Sequence, residues 1–173
     1  MKSFHVLAGP PGAGKTTVLE VLRASVGVVP EPARRVLNQQ RISGGQGTGD
    51  QDRSLFVRLM LEQAQTDYVN ATGLTVFDRG LPDLLAFCAH YGFPSAPIDK
   101  VVARQRYASN VFWLPPWPAI YTQDDERKLD FAGAQKFGEL IRQSYQASGY
   151  SLITVPQASP KERAAFILAR IGA

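Results

Sequence analysis

The chain has 173 residues, enough to bury one substantial core and too few for two, so a single domain over residues 1–173 is expected. With 45% hydrophobic and 20% charged residues, its composition argues against a largely disordered chain. The formal charge is +4, and 13 of the 19 basic residues are arginine, but no Lys/Arg run gathers them. That dispersal speaks against a dedicated nucleic-acid binder and reads first as scattered surface charge, although the arginine fork also suits anionic ligands. No apolar run reaches bilayer length, the apolar start is too short for a signal segment, and Cys88 is the only cysteine; a cytoplasmic, reducing setting without a membrane partner is expected.

In chain order, the first strand is predicted over Phe4–Leu7, followed at once by Gly9-Pro10-Pro11-Gly12-Ala13-Gly14-Lys15-Thr16 and a helix over Lys15–Ala24. The eight residues match G-x-x-x-x-G-K-[ST] between a strand and a helix, the setting in which backbone N–H groups curl around phosphate oxygens and the helix N-terminus faces the same anion. Residues 9–16 with Thr17 are therefore the expected nucleotide cradle, Lys15 bridging the terminal phosphates and Thr16 holding Mg²⁺.

A second strand over Val26–Val29 leads into Glu31, Pro32, Ala33, Arg34 and Arg35 at the start of a helix over Pro32–Gln40. Glu31 is a candidate general base for an acceptor hydroxyl, with Arg34 or Arg35 orienting the acceptor; an acid complementing a helix first turn is the plainer reading of Glu31. Residues 43–52 are rich in glycine and are expected to form a mobile loop. The helix predicted over Arg53–Thr72 carries Leu55, Val57, Leu59, Leu61, Ala64, Tyr68 and Val69 as one broad apolar face.

The third strand, Leu74–Phe77, ends on Asp78-Arg79-Gly80, placing an acid where Mg²⁺ would be held directly or through water. Asp78 is thus a candidate for metal binding and catalysis, and Arg79 could clamp a phosphate or the acceptor. Asp83 could bind the acceptor or cap the helix over Pro82–Tyr91. Beyond a helix over Ile98–Ala108 and a strand over Val111–Leu114, residues 115–130 combine prolines with Asp124, Asp125, Glu126, Arg127 and Lys128. They read as a solvated charged turn or as a lid carrying Arg127 to the transferring phosphoryl group. A helix over Ala132–Ala147, a strand over Leu152–Val155 and a helix over Pro160–Ile171 complete the chain. His5, His90, Cys88, Trp113 and Trp117 lack metal-ligand or stacking patterns and read as structural.

Alternation of strand and helix, with strands that are continuous apolar runs, predicts a parallel five-stranded sheet between two helical layers, an α/β sandwich. With these motifs in this order, the sequence resembles the small P-loop nucleoside and nucleotide kinases. It is most similar to a bacterial group of AAA-domain ATPases and kinases related to the nicotinamide-riboside kinase domain. The residues that carry the likeness are Gly9–Thr16, Glu31 to Arg34, Phe77 to Gly80 with Asp83, Ile120-Tyr121 with Asp124 to Arg127, and Tyr145 to Pro156. Val29-Pro30-Glu31-Pro32 also resembles the deoxyribonucleoside-kinase segment bearing the base for a sugar 5′-hydroxyl. The resemblance implies a P-loop NTPase sandwich of sheet order 2-3-1-4-5, ATP as donor, Mg²⁺ and a lid arginine at Arg127.

The function expected is a kinase that moves the γ-phosphoryl group of ATP to a small hydroxyl or phosphate acceptor, nucleoside- or nucleotide-like. Either Glu31 or Asp78 takes the proton. A regulatory ATPase gating a protein partner is the alternative, and the oligomeric state, a homodimer included, stays open.

Overall fold

The computed structural model describes residues 3–122 and 129–173. Strands β1 (Ser3–Ala8), β2 (Gly27–Val29), β3 (Leu74–Asp78), β4 (Asn110–Trp113) and β5 (Ser151–Thr154) form one sheet of order β2-β3-β1-β4-β5. Every pairing is parallel; Val6 lies opposite Phe77, and Leu7 opposite Phe112. The expected class and strand order are both present. The central strands β1, β3 and β4 are mostly apolar and buried because helices cover both faces, whereas the edge strands β2 and β5 keep half-exposed residues.

Among the described residues the α-helices are α1 (Lys15–Leu22), α2 (Pro32–Ser43), α3 (Arg53–Asn70), α4 (Pro82–Tyr91), α5 (Ala96–Arg104), α6 (Phe131–Ala147) and α7 (Pro160–Ile171). Because side chains alternate across a strand, Phe4, Val6 and Ala8 of β1 join the core under α2–α6, while Leu7 joins the core under α1 and α7. Caps fix several helix starts. Asp52 accepts from Leu55 N–H at 2.8 Å, Asp130 from Gly133 N–H at 2.7 Å, and Ser159 with Glu162 forms a reciprocal capping box.

The structure departs from the sequence expectation at several helix ends and on one helix face. Helix α2 runs on to Ser43, stopped by Gly44 in the left-handed region. Helix α5 ends at Arg104 instead of Ala108, because tertiary partners claim the following backbone. Tyr68 Oη donates to Arg106 O at 2.7 Å, Tyr107 N–H donates to Tyr150 Oη at 3.3 Å, and Ala108 N–H donates to Phe4 O at 2.7 Å. On α3 the buried stripe is Phe56, Val57, Met60 and Ala64, and Val69, expected on the inner face, is 62% exposed. No helix among the described residues is long and apolar enough to cross a membrane.

Candidate active site

The carboxyl ends of β1, β2 and β3 gather the motif residues. Residues 9–14 form a loop between β1 and α1, and α1 begins at Lys15 with Gly14 as its cap. No side chain caps that helix start, so its first N–H groups are directed at the loop's concavity. Two glycines are obligatory here. Gly12 has φ of 79° and a Cβ on it would meet the Tyr121 ring at 2.4 Å; Gly14 has φ of 79° and a Cβ would meet Arg163 Nη2 at 2.7 Å.

Lys15 is buried, and its Nζ donates to Gly9 O at 3.2 Å and to Pro10 O at 3.0 Å. Burial and neighbouring Arg79 lower its pKa to about 8, against the opposing pull of Asp78, Glu31 and Asp83. Thr17 Oγ1 donates to Gly14 O at 3.0 Å, tying the helix start to the loop.

A cavity of about 1070 Å³ opens over the loop. Pro11, Gly12, Gly14, Lys15, Thr16 and Thr17 line its phosphate end, and Glu31, Arg34 and Arg79 line its wall. Phe56, Phe87, His90, Tyr91 and Phe137 give the remote end an aromatic surface, with Arg53 over the Tyr91 ring at 5.2 Å. The glycine-rich 44–51 segment forms another side; Gln40 Oε1 accepts from Gly47 N–H at 2.9 Å, and Asp52 N–H reaches Gln46 O at 3.0 Å.

Glu31 is the cap residue of α2, yet its side chain makes no cap bond. Instead Oε1 accepts from Arg79 Nε at 2.8 Å, and Oε2 lies 3.5 Å from Arg34 Nε. Burial pushes its carboxyl up, but Arg79, Lys15 and Arg34 outweigh that and hold it below the ordinary carboxylate range, so it is charged at neutral pH. Asp78 is buried at the end of β3, and burial, followed by the charge of Glu31, raises its pKa to about 6.

Asp78 and Thr16 line a smaller cavity of about 240 Å³, shared with Glu31, Arg34 and Arg23. Among the described residues, buried Asp78 Oδ1 has no hydrogen-bond partner. A threonine and a carboxylate that line one small cavity, the carboxylate with an unpartnered oxygen, suit a hard, oxygen-bound cation such as Mg²⁺ that keeps water and phosphate oxygens as its other ligands. Among the described residues no three His, Cys, Asp or Glu side chains cluster as an all-protein metal site.

The remaining expected residues are placed differently from one another. Arg79 is buried; besides Glu31 it reaches Gly9 O at 3.1 Å and Asp83 Oδ1 at 2.7 Å. Asp83 is 2% exposed and outside the cavity wall, its carboxylate engaged by Arg79, Gly80 N–H and Tyr145 Oη. Arg35 turns away to Asp67 on α3 at 2.5 Å and does not line the cavity, whereas Arg34 does. Arg127 lies outside the described residues.

Two participants escape sequence reasoning. Arg163 of α7, 3% exposed, donates from Nη1 to Ala13 O at 3.1 Å and from Nη2 to Gly14 O at 3.5 Å, with Trp117 at 5.4 Å from its Cζ. Its signal was an arginine in register with Ile167 and Ile171 on the inner stripe of α7. Tyr145 entered the sequence reading only as the start of the Tyr145 to Pro156 stretch of the family likeness, with no role attached to it.

The profile of a family described as "AAA domain" matches residues 4–163. No curated protein is significantly similar to the sequence. Among solved structures, NadR protein in complex with NR superposes with a TM-score of 0.72 at 16% identity, over 99% of this chain and 52% of NadR, so the chain spans about half of that protein. YorR protein from Bacillus subtilis, in complex with phosphorylated GDP, gives a TM-score of 0.64 at 13% identity over 98% of this chain and 96% of its own. Shikimate kinase from Acinetobacter baumannii, in complex with shikimate, gives 0.59 at 16% identity over 98% and 92%. At these identities the likeness is one of fold.

Proposed function

The chain belongs to this AAA-domain family, and from that premise we propose that it is an ATP-dependent phosphotransferase acting on a small, nucleoside- or nucleotide-like acceptor. One observation carries the reading: the phosphate loop and a charged carboxylate, Glu31, face the same cavity, and that cavity continues into an aromatic-lined end. A switch protein would need only the first of these. The neighbours support it in kind, being proteins solved with NR, with phosphorylated GDP and with shikimate.

The loop N–H groups and Lys15 hold the β- and γ-phosphates of ATP, and Arg163 keeps the loop carbonyls turned outward. Thr16 and Asp78 would hold a divalent cation, which would neutralise phosphate charge. The ring of the acceptor lies against Phe87, Tyr91 and Phe137, which brings its hydroxyl or phosphate oxygen toward Glu31. That oxygen bonds to the γ-phosphorus as the bond to the ADP oxygen breaks, ADP leaving with the electron pair and the acceptor proton passing to the Glu31 carboxylate. Of the two carboxylates, Glu31 lines the larger cavity and Asp78 only the smaller, which favours Glu31 as base and Asp78 as metal ligand. A weak base suffices because phosphoryl transfer is loose and the acceptor loses its proton late.

Glu31→Gln is expected to cut turnover about a hundredfold with ATP affinity within about threefold of wild type, measured by coupled ADP release and by calorimetric titration. Full turnover in Glu31→Gln on an acceptor that the wild type phosphorylates removes Glu31 from the mechanism.

A further inference from the structure

Behind Glu31 runs a chain of buried polar groups that the transfer itself does not use. Tyr145 Oη, fully buried on α6, donates to Asp83 Oδ2 at 2.5 Å and accepts from Gly80 N–H at 2.9 Å. Asp83 Oδ1 holds Arg79 Nη1 at 2.7 Å, and Arg79 in turn holds Glu31 through Nε and Gly9 O through Nη1. Four elements, α6, α4, the β3–α4 turn and the start of α2, are thereby joined to the first residue of the phosphate loop.

This is a costly way to build a core. A buried charge triad is no more stable than apolar side chains of the same volume, and removing one member strands the others' charge. Arg79 is, moreover, the only described residue other than glycine at positive φ, 70°, a setting that side-chain-bearing residues rarely take and that persists where surrounding contacts over-determine it. Its guanidinium stays cationic because Glu31, Asp83 and Asp78 outweigh the cost of burying it. Tyr145 stays a neutral phenol, since burial and the Asp83 charge both resist its ionisation, and so it remains a donor to Asp83 throughout the physiological range.

We propose that Tyr145 is a positioning residue: through Asp83 and Arg79 it fixes the Glu31 carboxylate and the Gly9 end of the phosphate loop in one arrangement. Without its hydroxyl, Asp83 Oδ2 and Gly80 N–H each lose one buried partner; Asp83 Oδ2 then keeps only the 3.1 Å bond from Gly80 N–H, and the carboxylate that grips Arg79 Nη1 is less firmly fixed. As far as it concerns catalysis, the proposal rests on the phosphotransfer reading above; as far as it concerns the geometry of Arg79 and Glu31, it does not.

The experiment therefore has one arm without turnover and one with it. Tyr145→Phe removes the hydroxyl and keeps the ring in its edge contact with Tyr150; Ile141→Val, one turn earlier on α6, loses core volume without touching the chain of polar groups. In the ligand-free protein, hydrogen exchange of Arg79 Nε–H followed by NMR should be about tenfold faster in Tyr145→Phe and unchanged in Ile141→Val. Equal exchange in wild type and Tyr145→Phe overturns the proposal. In the turnover arm, Tyr145→Phe should lower kcat about tenfold with KM for ATP within about twofold, and the loss should shrink below about twofold in a Glu31→Gln background. A full, additive loss in that background overturns action through Glu31. Should Tyr145→Phe fail to fold, Asp83→Asn breaks the same chain one link nearer Arg79, and the same two readings apply. A wild type that phosphorylates no acceptor overturns the kinase reading, while the exchange result still decides the positioning.

Discussion

Asp78 allows a quantitative statement about what the candidate site costs the fold. Its Oδ1 is buried without a partner among the described residues, and burial together with the Glu31 charge raises its pKa from 3.8 to about 6. A raised carboxyl pKa means that the native state binds the proton more tightly than the unfolded chain does. Ionisation is thus penalised only in the native state. The penalty is absent below the unfolded value, grows as pH rises toward about 6, and is complete above it. A shift of about two units corresponds to about 3 kcal/mol around pH 8 and about 1 kcal/mol around pH 4.5. Asp78→Asn keeps the shape and removes the charge. It should therefore be more stable than wild type by up to about 3 kcal/mol around pH 8, a rise in Tm of roughly 6–12 °C, with most of the gain gone around pH 4.5. Urea unfolding of both proteins at the two pH values, in chelator so that no cation offsets the charge, measures the difference. A variant no more stable than wild type around pH 8, or equally stabilised at both pH values, refutes the reasoning.

Lys15→Ala should lose about a thousandfold in acceptor phosphorylation while remaining folded by circular dichroism, because the buried ammonium is the phosphate loop's own cation. Gly12→Ala places a Cβ 2.4 Å from the Tyr121 ring at a φ of 79°, and calorimetry should show ATP affinity at least about tenfold weaker. Arg163→Met removes the donors to Ala13 and Gly14 and should cost about 1–3 kcal/mol in urea unfolding along with weakened ATP binding. Retention of both properties would assign Arg163 no part in shaping the loop.

What was legible in the sequence was whatever local chemistry determines. Gly9 to Thr16 can be read because the backbone there needs glycine and the helix start needs to stay open, and the apolar runs of β1, β3 and β4 can be read because two helical layers cover them. What long-range partners decide was not. Arg34 and Arg35 are neighbours with the same side chain, and only the position of Asp67 on α3, 32 residues away, turns one toward α3 and leaves the other at the cavity. Arg163 acts on a loop 149 and 150 residues earlier, and Tyr145 on Asp83 62 residues earlier; neither separation leaves a mark in a local pattern. Helix α3 misleads by composition, since Leu55, Leu59 and Leu61 dilute the stripe that Phe56, Met60 and Ala64 define.

The central claim is transfer to an acceptor, and an ATP-to-ADP coupled assay with Mg²⁺ addresses it directly. The panel comprises nucleosides, nucleoside monophosphates, nicotinamide riboside and sugar-like alcohols, with Lys15→Ala as blank. The account predicts ADP release that depends on a ring-bearing acceptor, with a product heavier by one phosphoryl group in the mass spectrum. ADP release at the same rate with every acceptor and with none would contradict it, and would mean that the cavity beside Glu31 serves hydrolysis.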